Sequence, residues 1–115
     1  MKILHILIVE DEPWVAMDLE MIITKSVTAT VVVEGSVADT KKVLHEALDF
    51  AFLDVDVTNG KTFEIAQILT RKHVPFVFVS GSPQDQLPID LRSVPFIPKP
   101  FYAAQIESAL QAVVN

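Results

Sequence analysis

Two hydrophobic rhythms alternate along this chain. Short runs in which almost every position is apolar are separated by longer stretches in which apolar residues return every third or fourth place. The runs suit strands covered on both faces, and the stretches suit helices with one covered side. Predicted strands fall at residues 3–9 (broken only by His5), 28–34 (rich in Val and Thr), 50–53, 74–79 and 94–97. The periodic stretches predict helices from Pro13 to about Lys25, and at residues 39–48, 61–72 and 102–114. Their expected inward faces are Val15, Leu19, Ile22 and Ile23; Val43, Leu44 and Ala47; Ile65, Ala66 and Leu69; and Ile106, Leu110 and Val113. Pro13 fits the first turn of a helix, and Glu10, Asp11 and Glu12 suit its positive end.

Strand and helix alternate throughout, so the expected fold is α/β. It is a doubly wound parallel sheet of five strands in the order 2-1-3-4-5, built from right-handed crossovers. One unit is defective. Residues 81–93 must hold the whole fourth crossover, yet they contain Pro83 and Pro88. A helix interior does not accept proline, so the fourth helix is predicted to be short, broken or missing. No repeat, linker or low-complexity segment divides residues 1–115, which read as one domain.

Composition narrows the function. There is no cysteine, which excludes disulfides and thiolate metal sites and fits a cytoplasmic protein. Nine basic residues against fifteen acidic ones give a net charge of −6, unsuited to direct binding of nucleic acid. Three glycines cannot make a Gly-rich phosphate loop. No apolar run has the length of a membrane span, and no signal peptide is evident.

Chemistry gathers at the predicted strand ends. The first strand ends in Glu10-Asp11, the third in Asp54, the fourth in Ser80 and the fifth in Lys99. With strands one and three adjacent at the switch point, the three carboxylates are expected to meet, with Ser80 and Lys99 alongside. Clustered carboxylates repel one another unless a cation joins them, and an oxygen-only site suits Mg2+. A nucleophilic carboxylate, a divalent cation, a lysine and a hydroxyl are the parts needed to move a phosphoryl group onto Asp54.

The segments Ile8-Val9-Glu10-Asp11-Glu12, Phe52-Leu53-Asp54-Val55-Asp56, Phe78-Val79-Ser80-Gly81 and Ile97-Pro98-Lys99-Pro100-Phe101 occur in order and span nearly the whole chain. In these the chain resembles the receiver domain of two-component response regulators, whose fold is flavodoxin-like. The stand-alone, single-domain type is the nearest likeness. The resemblance implies that Asp54 takes a phosphoryl group from a phosphohistidine on a sensor histidine kinase or phosphotransfer protein. It implies Mg2+ held directly by Asp11 and Asp54, by Glu10 through water, and by the backbone carbonyl of Asp56. Lys99 would contact the phosphoryl group, Ser80 would bind it, and Phe96 would be the partner of Ser80 in a switch. The Lys99-Pro100 bond would be cis. Such a chain is a phosphoacceptor and not an enzyme in its own right, and its downstream protein partner is not named by the sequence. The loop Val57-Thr58-Asn59-Gly60-Lys61 lacks the proline common in that family, and the segment after Ser80 departs from it too.

Plainer readings stand beside these. Glu10-Asp11 taken alone is a helix-start pair, Ser80 can bond its own turn, and Phe96 can be simple core. Trp14, Met17 and Met21 share a stripe on the first helix. They read either as the edge of the core or as a docking patch for the kinase. His5, His45 and His73 lack metal spacing and read as structural or solvated. Two other functions compete. Asp54-Val55-Asp56-Val57-Thr58 also matches the signature of haloacid-dehalogenase-type phosphatases, although that family needs further acids after the lysine and only Glu107, within a helix, follows Lys99. A receiver-like binding module without phosphorylation is the other.

Overall fold

The computed structural model describes residues 2–114. Strands β1 (Leu4–Val9), β2 (Ala29–Glu34) and β3 (Phe50–Leu53) are followed by two short strands, β4 (Asp56–Val57) and β5 (Gly60–Lys61). Strands β6 (Phe76–Ser80) and β7 (Phe96–Pro98) come last. Helices are α1 (Pro13–Ser26), α2 (Val37–Val43), α3 (Phe63–Arg71) and α4 (Ala103–Leu110). The main sheet is parallel, in the order β2-β1-β3-β6-β7, which is the expected 2-1-3-4-5 order of the five long strands.

Alternate residues on each strand serve opposite faces. Leu7, Val9, Ala51, Leu53, Phe76 and Phe78 face one layer, where Leu44 and the inner side of α3 (Ile65, Ala66, Leu69) close over them. Ile6, Ile8, Phe50, Phe52, Val77 and Val79 face the other, against Leu19 and Ile23 of α1 and Ile106 and Leu110 of α4. Continuous apolar runs are therefore what this sheet requires, because, His5 apart, neither face of its central strands β1, β3 and β6 meets water.

No α-helix joins β6 to β7. Two 3-10 turns, Gln84–Gln86 and Ile89–Leu91, follow Pro83 and Pro88. Leu87 and Leu91 still reach the core, and the Arg92 side chain holds the segment by donating to the carbonyls of Leu87 (2.9 Å) and Asp85 (3.1 Å).

Helix α2 differs from the sequence expectation. It starts earlier, where Ser36 caps it by accepting from the Asp39 N–H (3.0 Å), and it stops at Val43. Just past that end the Lys72 ammonium donates to the Leu44 carbonyl. Ala47, expected inward, is exposed, while Thr40 is fully buried and donates to the Ser36 carbonyl at 2.7 Å. The last helix is also shorter than the periodicity suggests, giving way to turns after Leu110.

The sequence marks the short hairpin β4–β5 only as a turn. Asn59 and Gly60 take the positive φ angles it needs, 74° and 129°, a region that favours these two residues. It is clipped to the β2–α2 connection, with Thr58 N–H on the Gly35 carbonyl (3.2 Å) and Val37 N–H on the Thr58 carbonyl (3.0 Å). This clip fixes the loop that follows Asp54.

At the opposite end of the sheet Asp49 ties β1 to the start of β3. It accepts from the Lys2 ammonium and from the His5 N–H, both at 2.8 Å. The Lys2 bond first, and the His5 N–H next, hold its pKa below the usual carboxylate range. A depressed acid adds stability above its unfolded pKa, about 3.9 for Asp, and loses that share as the pH falls through the lower folded value. Asp49→Asn is thus expected to lose about 1–2 kcal/mol at pH 7. Urea titrations of the two proteins should show that gap narrowing below about pH 4.

Candidate functional site

The last paired residues of β1 and β3 are Val9 and Leu53. One step further along each strand come Glu10 and Asp54, locked in place by an Asp54 N–H bond to the Val9 carbonyl (2.9 Å). Asp11 follows, just before α1. Carboxylate oxygens of Glu10, Asp11 and Asp54 lie within 4.8 Å of one another. Glu10 and Asp54 are buried, and Asp11 is exposed.

Lys99 reaches this cluster from the far edge. It follows the β6–β7 pair Ser80–Pro98, and its N–H bonds the Ser80 carbonyl at 3.0 Å. Its ammonium donates to Glu10 Oε1 (2.5 Å) and to Asp54 Oδ2 (2.9 Å). Glu10 Oε2 accepts the Glu12 N–H at 3.1 Å, and Asp54 Oδ1 accepts the Val55 N–H at 2.7 Å. The peptide between Lys99 and Pro100 is cis.

Burial raises the Glu10 pKa most, and the charge of Asp54 adds to it; the bonds from Lys99 and Glu12 pull the other way without cancelling the rise. Burial by itself would lower the Lys99 pKa, but its bonds to Glu10 and Asp54 and their charges outweigh that, and the net shift is upward. Three carboxylates against one ammonium leave two negative charges unbalanced when all are ionised. A hard divalent cation balances them, and the donor set is oxygen only, so the residues present fit Mg2+.

The other expected residues surround this centre. Ser80 is buried at the end of β6, and its hydroxyl accepts the Ser82 N–H at 3.1 Å, so the turn-bonding reading holds. Asp56 stands apart from the acid cluster. Its carboxylate is exposed and accepts from Lys61 and from the Ser82 hydroxyl (2.7 Å), contacts that hold its pKa down, Lys61 first. The second acid of a dehalogenase-type pair is thus engaged elsewhere. Phe96 is half-buried, its ring 6.5 Å from that of Phe78.

Trp14, Met17 and Met21 are 82%, 58% and 51% exposed. That corrects their reading as the edge of the core: the face of α1 that packs is buried Ala16, Leu19 and Ile23, flanked by half-buried Val15 and Ile22. Trp14 and Lys99 line the same shallow cavity of about 410 Å3, together with Pro100 and Phe101. His5, His45 and His73 are exposed, away from the cluster.

Sequence reasoning missed two residues at the site. The Thr58 hydroxyl leans on Asp11 Oδ2 at 3.4 Å, a weak contact. Thr62 is fully buried, and its hydroxyl bonds the Asp54 carbonyl at 2.5 Å. A threonine after Asn-Gly reads as loop or helix cap, and only the hairpin turns it back under Asp54.

No family model matches the chain. It is 30% identical over 113 residues to the sensory transduction protein LytT of Enterococcus faecalis, covering 94% of this chain and 47% of that protein. The chain spans about half the length of the curated relatives it matches. Against the solution structure of SdrG from Sphingomonas melonis the identity is 34%, the TM-score 0.80, and the likeness covers 100% of both chains. The BeF3-activated conformation of SdrG gives a TM-score of 0.75. The response regulatory domain of mrkE from Klebsiella pneumoniae is 25% identical at a TM-score of 0.82, over 96% of this chain and 94% of that one. With similarity to such domains running along its full length, the chain belongs to the CheY-like receiver domains of response regulators.

Proposed function

We propose that residues 1–115 act as one phosphoacceptor domain in which Asp54 takes a phosphoryl group from a phosphohistidine on a sensor histidine kinase or phosphotransfer protein. The observation that carries this reading is the Glu10–Asp11–Asp54 cluster with the Lys99 ammonium 2.9 Å from Asp54. A carboxylate oxygen of Asp54 attacks phosphorus while the P–N bond breaks, and the imidazole keeps the electron pair. Lys99 keeps its proton and offsets the charge of the transferred group. Asp11 and Asp54 would hold Mg2+ directly, Glu10 through water and Asp56 through its carbonyl. When bound, the ion neutralises phosphoryl oxygens and orients the group for in-line transfer.

Ser80 would bind the transferred group. That move gives up its Ser82 N–H, and Phe96 would follow it inward as the second half of a switch. The chain is a receptor of phosphate and not an enzyme acting on other molecules. Membrane and nucleic acid have no part in this reading, and a cytoplasmic place belongs to it. No described helix is long and apolar enough to cross a membrane.

The test is intact mass after incubation with acetyl phosphate. One phosphoryl group is expected with Mg2+ and none with chelator; a gain indifferent to chelation would sink the metal assignment.

The exposed stripe of Trp14, Met17 and Met21 would be the kinase's docking patch, since large exposed apolar side chains grouped on one helix suit a partner. The double variant Met17→Glu and Met21→Glu is expected to slow transfer from the cognate kinase about tenfold or more while leaving acetyl phosphate uptake unchanged. Unchanged transfer from the kinase would refute the patch.

A further inference from the structure

We infer that Thr62 is a positioning residue for phosphoryl uptake, acting on Asp54 through one peptide plane. This rests on the reading of Asp54 as the acceptor and adds a residue to it. The peptide unit between Asp54 and Val55 is gripped on both sides. Its carbonyl accepts the Thr62 hydroxyl at 2.5 Å. Its N–H donates to Asp54 Oδ1 at 2.7 Å. The hydroxyl therefore sets the orientation of the plane, and the plane holds the carboxylate.

With Oδ1 pinned, Oδ2 is turned to the side of Lys99, 2.9 Å away. Without the pin the carboxylate is free to turn about its own bonds, and the fraction of time spent in the attacking pose falls. Thr62 is itself fixed by three further constraints. Its N–H bonds the Val55 carbonyl at 3.0 Å, its carbonyl accepts the Ala66 N–H at 2.9 Å in the first turn of α3, and it is wholly buried. The start of α3 is thereby coupled to the acceptor through a single hydroxyl.

The chemistry separates this role from simple packing. Valine matches threonine in shape and lacks the hydroxyl; serine keeps the hydroxyl and lacks the methyl. Wild type, Thr62→Val and Thr62→Ser are compared with acetyl phosphate and Mg2+, each well below its unfolding midpoint, with phosphorylation followed by intact mass. The rate of Thr62→Val at saturating acetyl phosphate is expected to fall roughly ten- to a hundredfold. The half-saturating concentration should move little, and Thr62→Ser should recover most of the rate. Should Thr62→Val not fold, Thr62→Cys serves in its place, because a thiol is a weak donor of nearly the size of serine.

A valine variant that is labelled at the wild-type rate overturns the proposal, as does a serine variant as slow as the valine one. Labelling at full rate that still depends on Asp54 removes only the role of Thr62. Phosphate that remains in Asp54→Asn removes the acceptor reading itself, and the role of Thr62 with it.

Discussion

Asp54→Asn is expected to take up no phosphoryl group from acetyl phosphate or from a kinase, with Mg2+ present. The amide has no anionic oxygen, so the nucleophile is gone while the side-chain volume stays almost the same. The fold should survive, for reasons visible at the site. Asn can still accept the Val55 N–H where Asp54 Oδ1 does so now, at 2.7 Å. Lys99 keeps its shorter contact, 2.5 Å to Glu10. One of three crowded carboxylates is neutralised, which relieves repulsion within the cluster. The variant should thus unfold at a denaturant concentration no lower than the wild type in chelator, and it should bind Mg2+ more weakly. Intact mass and a urea titration together check both halves. A phosphoryl group that persists on the folded variant would place the acceptor elsewhere.

Lys99→Met should cost the metal-free protein about 3–5 kcal/mol, the range for stranding one partner of a buried ion pair. The Glu10 side chain is only 1% exposed, and Lys99 is the cation it meets. Both groups have raised pKa values, and the consequences run in opposite directions. The raised Lys99 gives stability that is complete below the ordinary lysine value, about 10.4, and is lost as the pH climbs through the folded value. The raised Glu10 is a cost once it ionises, and the cost is relieved as the pH falls. The loss in Lys99→Met should therefore be largest where Glu10 is ionised and shrink as the pH falls and Glu10 takes up a proton. Mg2+ should compensate. At a hundredfold excess over its Kd, binding adds about 2.7 kcal/mol, and the variant should have the lower Kd because no ammonium competes for the carboxylates. Trp14, which shares a cavity with Lys99, offers a fluorescence readout of binding. A loss unaffected by either pH or Mg2+ would mean that Lys99 is ordinary packing.

The sheet was legible because burial on both faces leaves nothing but apolar residues in most of β3 and β6, and so short an unbroken run suits a covered strand better than a helix. The break after β6 was legible because Pro83 and Pro88 cannot lie inside a helix. Boundaries were less so. In α2 the spacing of Val43, Leu44 and Ala47 mimics a helical stripe, yet Leu44 alone is fully in the core, Val43 packs against it half-buried, Ala47 is exposed, and Lys72, far off in sequence, closes the helix end. At the site, charged residues announced themselves, since acids and a lysine at strand ends have no part in a buried sheet. Thr62 did not, because its role depends on how β4 and β5 fold back under Asp54. Trp14, Met17 and Met21 were ambiguous for a plain reason: apolar residues beside a helix's packed face look alike in sequence whether or not anything covers them.

The connection from Ser80 to Phe96 has a mechanical meaning. An α-helix is a rod, and a push at one end arrives at the other. Two 3-10 turns set off by Pro83 and Pro88 make a jointed chain instead, pinned at Leu87, Leu91 and the side chain of Arg92. A displacement of Ser80 cannot travel along such a chain as leverage. The first joint of that chain is the contact of the Ser82 hydroxyl with Asp56. The stiff path from the site to β7 is the other one, the Lys99 N–H bond to the Ser80 carbonyl, which welds the ends of two strands together.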